Sequence, residues 1–300
     1  MSQQDRQSVG SVILLWLPIG VALAWLLSKA SWFWENNPDM QFGWVIPLLS
    51  GYLLFEGFEK SPTVVGKWTF VNVVPIAVGI GFLFLTQVYQ AAYGLTATSM
   101  AGLGLGFVFV VMGHLQYIYG WPGIRTFGFG LAFVLIALPI PSVIYGQIIS
   151  TLQRGITLVN VEVLALLGTP ASIQGNLVQL PTGVLGVDEA CSGIRSLQST
   201  VMATLFIGYL TLRRTSSRIG LFVGGVLLAL LGNFIRVFAL SYSASLNGID
   251  AVDAAHDFAG WSILSFTVVG VGVMSWGLGK LELAVLSQAD EIVEEQTKEC

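Results

Sequence analysis

Charged residues are scarce in this chain. Of its 300 residues, 13 are lysine or arginine and 17 are aspartate or glutamate, which together make up 10%. Soluble domains carry about 25% charged residues, so the chain lacks the polar surface that a soluble protein of this length needs. Hydrophobic residues make up 54%. The composition therefore predicts an integral membrane protein that crosses the lipid bilayer several times.

Excess positive charge, cysteine and metal-ligand clusters are also lacking. The net charge of −4 argues against a nucleic-acid partner. The two cysteines, Cys191 and Cys300, are too few for a disulfide framework. No group of histidine, cysteine and carboxylate residues has metal-ligand spacing, and "GLGLG" follows no strand of a βαβ unit. We therefore expect neither a metal nor another cofactor.

Long apolar runs are what the chain does contain. A membrane-spanning helix needs roughly 17–25 apolar residues. The first run is too long for a signal peptide and lacks a cleavage site, so we interpret it as a span. The fold class expected is an all-α polytopic membrane protein of about eight spans, over residues 10–28, 42–58, 69–90, 101–119, 124–140, 192–212, 219–245 and 258–279.

Residues 141–190 do not fit a span. Polar residues interrupt the segment 142–168, which predicts an amphipathic helix on the extracytoplasmic membrane surface. Two short β-type runs then flank "PTG", a turn signal, which predicts a small β-hairpin before the helix that follows Cys191.

The basic residues of short loops predict the orientation. Arg213, Arg214 and Arg218 cluster between two spans, and such loops are cytoplasmic. Both termini are then cytoplasmic. We expect one integral membrane domain over 1–280, with its core at about 140–280, followed by an acidic cytoplasmic tail over 281–300.

In this topology three chemically capable residues meet at the outer membrane face. Cys191 begins one span and His256 begins another. Arg236 lies roughly 26 Å along a span that starts inside, in a hydrocarbon core about 30 Å thick. An arginine within a span is costly, so it is expected to face a partner or a wet cavity. Asn233 precedes Arg236 by three residues on the same helical face.

These residue types suit nucleophilic catalysis. A nearby cation and a helix N-terminus both favour the thiolate form of a cysteine. A histidine can exchange protons with a leaving amine, and an arginine can hold a developing oxyanion. The sequence does not decide which carboxylate orients them. The candidates are Asp188, Glu189, Asp253 and Asp257.

Structural explanations exist for each residue taken alone. A cysteine in a membrane helix can serve packing, and Arg236 can be a structural charge paired with Asp253 or Asp257. Two other functions also fit the composition: a transporter, in which Arg236 and acidic residues line a pathway, and a non-catalytic assembly protein for envelope polysaccharide. His114 lies far from the three residues, and we interpret it as structural.

Three motifs in order resemble one family. They are "EACSGIRSL" at 189–197, "GNFIRV" at 232–237 and "HDFAGW" at 256–261. This order is similar to that of the exosortase/archaeosortase family, polytopic membrane enzymes with a Cys–Arg–His active site. The resemblance implies that Cys191 is the nucleophile, His256 the general acid/base and Arg236 the stabiliser of thiolate or oxyanion. Supporting residues would be Glu189, Arg195, Asn233 and Asp257.

The resemblance also implies a substrate and a location. Such enzymes are thought to cleave exported proteins that end in a short motif such as Pro-Glu-Pro, a transmembrane helix and a basic cluster. They would pass the acyl group to an acceptor nucleophile, whose identity the sequence does not give. The expected location is the cytoplasmic (inner) membrane of a bacterium, with the active site on the extracytoplasmic side, often alongside exopolysaccharide production.

Overall fold

The structure is a computed structural model of the chain. It describes the backbone of residues 3–175, 177–186, 193–248 and 250–299, and the side chains of 3–12, 250–259, 261, 264 and 289–299 lie outside its description. Helices make up 83% of the chain, which confirms the predicted all-α class. The chain divides into two compact units, residues 1–145 and 146–300. The single membrane domain expected over 1–280 stays a prediction.

The first unit is built from helices and two short 3-10 segments. Its α-helices are α1 (Gln3–Asn36), α2 (Ile46–Glu59), α3 (Phe70–Tyr93), α4 (Ala97–Tyr119) and α5 (Trp121–Phe133), and the 3-10 segments are Pro38–Trp44 and Val134–Ala137. Glycines bring α3 and α4 together, because a Cβ on Gly79 would lie 2.8 Å from the Gly106 carbonyl oxygen. The glycine-rich run of α4 therefore serves helix packing. His114 Nε2 lies 2.7 Å from the Leu15 carbonyl oxygen, which agrees with its structural interpretation.

The second unit contains a small sheet and three long helices that follow it. Helix α6 (Ser142–Leu166) precedes the sheet. The helices after the sheet are α7 (Ile194–Thr211), α8 (Thr215–Asn247) and α9 (Asp250–Glu299). Helix α8 packs antiparallel to both α7 and α9. A Cβ on Gly225 would lie 3.2 Å from Thr200 Cγ2 of α7, and one on Gly232 would lie 3.1 Å from Ile263 Cγ2 of α9. Helix α8 is therefore central to this part of the unit.

The sheet has three antiparallel strands in the order β1–β2–β3. They are β1 (Ser172–Gln174), β2 (Leu177–Leu180) and β3 (Gly183–Gly186). The predicted hairpin around "PTG" is confirmed as the β2–β3 pair, in which Leu180 faces Gly183. Strand β1 was not predicted. Val178 of β2 is fully buried in one cluster with Leu164 of α6 and Leu240 of α8, so the sheet packs on these helices.

Helix α6 buries polar as well as apolar side chains. Its buried side carries Gln153, Thr157 and Asn160, whereas Leu158 is 54% exposed. Asn160 Nδ2 donates a hydrogen bond to Ser241 Oγ of α8 at 2.8 Å. The charged residues of α6 are exposed, so its predicted position on the membrane surface stays a prediction.

Six helices in the described part of the chain are long and apolar enough to cross a membrane, and α6 is one of them. The six segments are Ile13–Asn36, Phe70–Tyr93, Ala97–Tyr119, Ser142–Leu166, Thr215–Asn247 and Ser265–Gln288. The polytopic class is thus supported, but the predicted number of eight spans is not.

Two of the predicted spans are shorter than expected. The second is reduced to the 14 residues of α2, near whose start Pro47 lies. The fifth ends its regular α-helix at Phe133, before Pro139 and Pro141. Proline cannot donate the backbone hydrogen bond that a continuing helix requires.

Candidate active site

One turn of α8 carries both polar residues of the "GNFIRV" motif. Asn233 is 2% exposed, and Arg236 is half-buried three residues later. Each contacts a glycine of a neighbouring helix or its cap. The turn 233–236 therefore contacts both the start of α7 and the helix α9. The motif "EACSGIRSL" runs into α7, and the motif "HDFAGW" lies in α9.

The first contact joins Asn233 to Gly193 at the start of α7. Gly193 has φ +79° and ψ +6°, a left-handed conformation that residues with a side chain rarely adopt. A Cβ on Gly193 would lie 2.5 Å from Asn233 Cγ and 2.6 Å from its Nδ2. Both the backbone angle and the space therefore require glycine. The Gly193 carbonyl oxygen accepts hydrogen bonds from the Leu197 N–H and the Ser196 hydroxyl, each at 2.9 Å, which fixes the first turn of α7.

The second contact joins Arg236 to Gly260 of α9. A Cβ on Gly260 would lie 3.7 Å from Arg236 Nη2 and 3.9 Å from its Cζ. The guanidinium therefore lies next to the α9 backbone at Gly260, within van der Waals distance. His256 lies in the same helix, four residues before Gly260. Residues four apart share a helical face, so the backbone at position 256 is one turn away from the guanidinium contact.

Arg195 is placed differently. It lies in the first turn of α7, and its side chain is exposed. Because α7 begins at Ile194 after the left-handed Gly193, helical spacing does not relate Arg195 to position 191. Of the two arginines proposed from the sequence, Arg236 is the one that the structure packs between helices.

The remaining predicted site residues lie outside what the structure describes. Cys191 and Glu189 belong to the segment 187–192, and only the backbone is described for His256 and Asp257. Their predicted roles stay predictions. In the residues that are described, no group of three histidine, cysteine or carboxylate side chains could hold a metal ion.

Sequence reasoning missed the two glycines. Gly193 and Gly260 lie inside the motifs "EACSGIRSL" and "HDFAGW", in which the sequence predicts roles only for their polar neighbours. The available signal was a glycine just before a predicted helix and within a motif, because glycine adopts the left-handed conformation that other residues rarely do. No sequence signal showed that Gly260 lies opposite Arg236, because that contact depends on how α8 and α9 pack.

A known protein family matches most of the chain. The family described as transmembrane exosortase matches residues 34–273, a segment that includes all three motifs and most of the chain. No curated protein and no solved structure matches it. The match agrees with the resemblance drawn from the motifs, and it extends into the first unit, where the motifs gave no information. The chain belongs to the transmembrane exosortase family.

Proposed function

We propose that this protein is a membrane-embedded cysteine transpeptidase. It cleaves the C-terminal sorting signal of exported proteins at the outer face of the cytoplasmic membrane and transfers the product to an acceptor nucleophile. Cys191 is the nucleophile, Arg236 the electrostatic stabiliser and His256 the general acid/base. Asn233 and Gly193 position the segment that carries the thiol, and Glu189, Asp257 and Arg195 are further candidates for orienting the charged groups.

The observation that carries this proposal is the convergence of the three motifs on one turn of α8. Gly193 lies against Asn233, and Gly260 lies against Arg236. Cys191 precedes Gly193 by two residues, a length of chain that spans at most about 7 Å. His256 precedes Gly260 by one helical turn of about 5.4 Å. A site that needs a thiol, a guanidinium and an imidazole within reach of one another is consistent with these two contacts.

In the first chemical step the Cys191 thiolate attacks the carbonyl carbon of the scissile peptide bond. The carbonyl oxygen becomes an oxyanion, and the half-buried Arg236 guanidinium donates hydrogen bonds to it. Such a contact is strongest in the transition state, where the negative charge develops. The C–N bond then breaks, His256 gives its proton to the leaving amine, and a thioester joins the substrate to Cys191.

In the second step the acceptor takes the place of the released amine. Its nucleophilic group loses a proton to His256 and attacks the thioester carbonyl. The same guanidinium holds the second oxyanion, and the C–S bond breaks to return the thiolate. If water entered instead, the product would be a free carboxylate, so limited water access favours transfer over hydrolysis.

The length of α8 supports an active site on the outer face. Arg236 follows Thr215 by 21 residues, roughly 32 Å along the helix axis. The hydrocarbon core is about 30 Å thick. If the basic loop before Thr215 is cytoplasmic, as positive residues in short loops indicate, Arg236 lies at the opposite membrane face.

The test uses the two cysteines of the chain as a matched pair. The enzyme is co-expressed with an exported reporter that ends in a Pro-Glu-Pro-type motif, an apolar helix and a basic cluster. Cys191→Ser should abolish the shift of the reporter to its processed size, and Cys300→Ser should leave processing unchanged. Equal levels of both variants in the membrane fraction show that folding is retained.

Two results would contradict the proposal. Processing by the Cys191→Ser variant at the unmodified rate would remove the nucleophile assignment. A membrane phenotype that depends on the chain but is indifferent to position 191 would favour a transporter or an assembly protein.

A further inference from the structure

An open groove lies in the second unit, near the basic loop that joins α7 to α8. It runs between α7 and α9, with a volume of roughly 660 Å³, in the range typical of small-molecule sites. We call it the α7–α9 groove. Its lining residues are Ile207, Thr211, Arg213, Gly272, Ser275, Trp276, Gly279, Lys280, Glu282, Leu283 and Leu286.

The polar end of the groove is positively charged. Arg213 and Lys280 line it and are both exposed, and neither forms an ion pair with a residue that the structure describes. Arg214 is the next residue along the same loop. Two cations therefore line the groove, and a third adjoins it.

The single carboxylate among the lining residues only partly offsets this charge. Glu282 is 6% exposed, and its two oxygens accept the backbone N–H groups of Arg213 at 2.9 Å and Arg214 at 2.8 Å. These N–H groups begin α8, where the helix dipole is positive and stabilises a negative charge. Both oxygens of this carboxylate are thus bound to backbone N–H groups of the protein itself.

The rest of the groove lining is mostly apolar. Leu283 and Gly272 line it, and open space surrounds the Cβ positions of Gly272 and Gly279. Lys280 Nζ lies 4.1 Å from the centroid of the exposed Trp276 ring. A tryptophan beside a lysine is typical of the level where lipid headgroups meet the hydrocarbon.

We propose that the α7–α9 groove binds an anionic phospholipid. The phosphate of its headgroup lies between Arg213 and Lys280, and an acyl chain follows the glycine-lined wall past Gly279 and Gly272. Basic pockets between membrane helices on the cytoplasmic side suit anionic headgroups in this way. Positive charge at this end disfavours the basic cluster of a sorting signal, so a lipid fits better than a substrate helix.

The inference can be tested without a substrate, so its outcome is independent of the proposed enzymatic function. The purified full chain in detergent is titrated with phosphatidylglycerol or phosphatidylcholine, and lipid retention is measured by native mass spectrometry. We expect the apparent affinity for phosphatidylglycerol to exceed that for phosphatidylcholine by at least about tenfold, or about 1.4 kcal/mol. Equal retention of the two lipids would overturn the proposal.

Two variants with matched controls locate the site. Gly279→Leu fills the groove, and Gly277→Leu is its control, because position 277 is in the same helix, does not line the groove and has equally open space. Arg213→Ala/Lys280→Ala removes two groove cations, and Arg125→Ala/Arg154→Ala removes two exposed cations elsewhere. Only the groove variants should lose the preference for phosphatidylglycerol.

Other outcomes count against the lipid. If glycerol phosphate competes as well as the intact phospholipid, the groove is an anion site without a lipid-chain component. If Gly279→Leu stops reporter processing but leaves phosphatidylglycerol retention unchanged, the groove binds a substrate helix instead. Equal loss in groove and control variants would mean that general charge or helix stability explains the binding.

Discussion

Both the backbone conformation and the packing of Asn233 require glycine at position 193. Its left-handed φ of +79° costs a residue with a Cβ roughly 1–2 kcal/mol. Its contact with Asn233 adds a steric penalty. Gly193→Ala should therefore lower the melting temperature of the purified protein and strongly reduce reporter processing, because the segment after Cys191 can no longer lie against α8.

Gly168 supplies the control for that substitution. Its φ is +78°, nearly the same angle, but no atom lies within 4 Å of the position a Cβ would take. Gly168→Ala should show the backbone cost alone and should keep processing. If both variants lose stability and activity equally, the contact between Gly193 and Asn233 has no role in the site.

Arg236 and Arg195 are distinguished by their surroundings. Arg236 is half-buried against Gly260, and Arg195 is exposed. Lysine replaces a planar group of five donors with a point charge. We expect Arg236→Lys to lower kcat/KM for the reporter by more than about tenfold, which corresponds to roughly 1.4 kcal/mol of transition-state stabilisation. Arg195→Lys should change it less than about threefold. The reverse order would assign the oxyanion contact to Arg195.

The sequence did not predict which polar side chains of α6 are buried against another helix. Its composition shows polar and apolar residues in alternation, and we interpreted the polar ones as facing water. In the structure Asn160 instead faces α8, while Arg154 and Glu162 are exposed. A hydrophobic pattern assumes that burial is apolar, and this assumption fails where two helices exchange buried hydrogen bonds.

The junction between α7 and α8 depends on one side chain from α9. Glu282 accepts the N–H groups that begin α8, and Arg218 donates to the Leu212 carbonyl oxygen near the end of α7 at 2.9 Å. Glu282→Gln removes the charge and replaces one acceptor oxygen by a donor. Hydrogen bonds to charged groups contribute about 1.5–3 kcal/mol, so this variant should melt at a clearly lower temperature. The matched control Glu35→Gln, at an exposed position, should leave the melting temperature nearly unchanged.

The arrangement of the whole chain in the membrane can be measured with the same two cysteine variants. Cys300→Ser leaves only Cys191, and Cys191→Ser leaves only Cys300. A membrane-impermeant maleimide should label Cys191 in intact cells and Cys300 only after the membrane is opened. Labelling of both from outside would place the C-terminus on the outer face and contradict the orientation predicted from Arg213, Arg214 and Arg218.

For the whole molecule, the sequence predicted the class of protein and part of the candidate site. Scarce charge predicted membrane helices, and the cost of burying polar groups in lipid singled out Asn233 and Arg236. The number of spans was not predictable from apolar runs, because prolines shorten two of them. Gly193 and Gly260 were not predicted, because the role of a glycine depends on the residue opposite, which only the packed structure provides.

Helix α9 is continuous from Asp250 to Glu299, and its 50 residues extend roughly 75 Å. That is more than twice the thickness of the hydrocarbon core, so helix α9 must extend well beyond the membrane core. One part of this helix contacts the Arg236 guanidinium, and its other end carries the acidic terminus. A fluorophore or fusion protein attached at the C-terminus is therefore joined by one continuous helix to the backbone that the Arg236 guanidinium contacts.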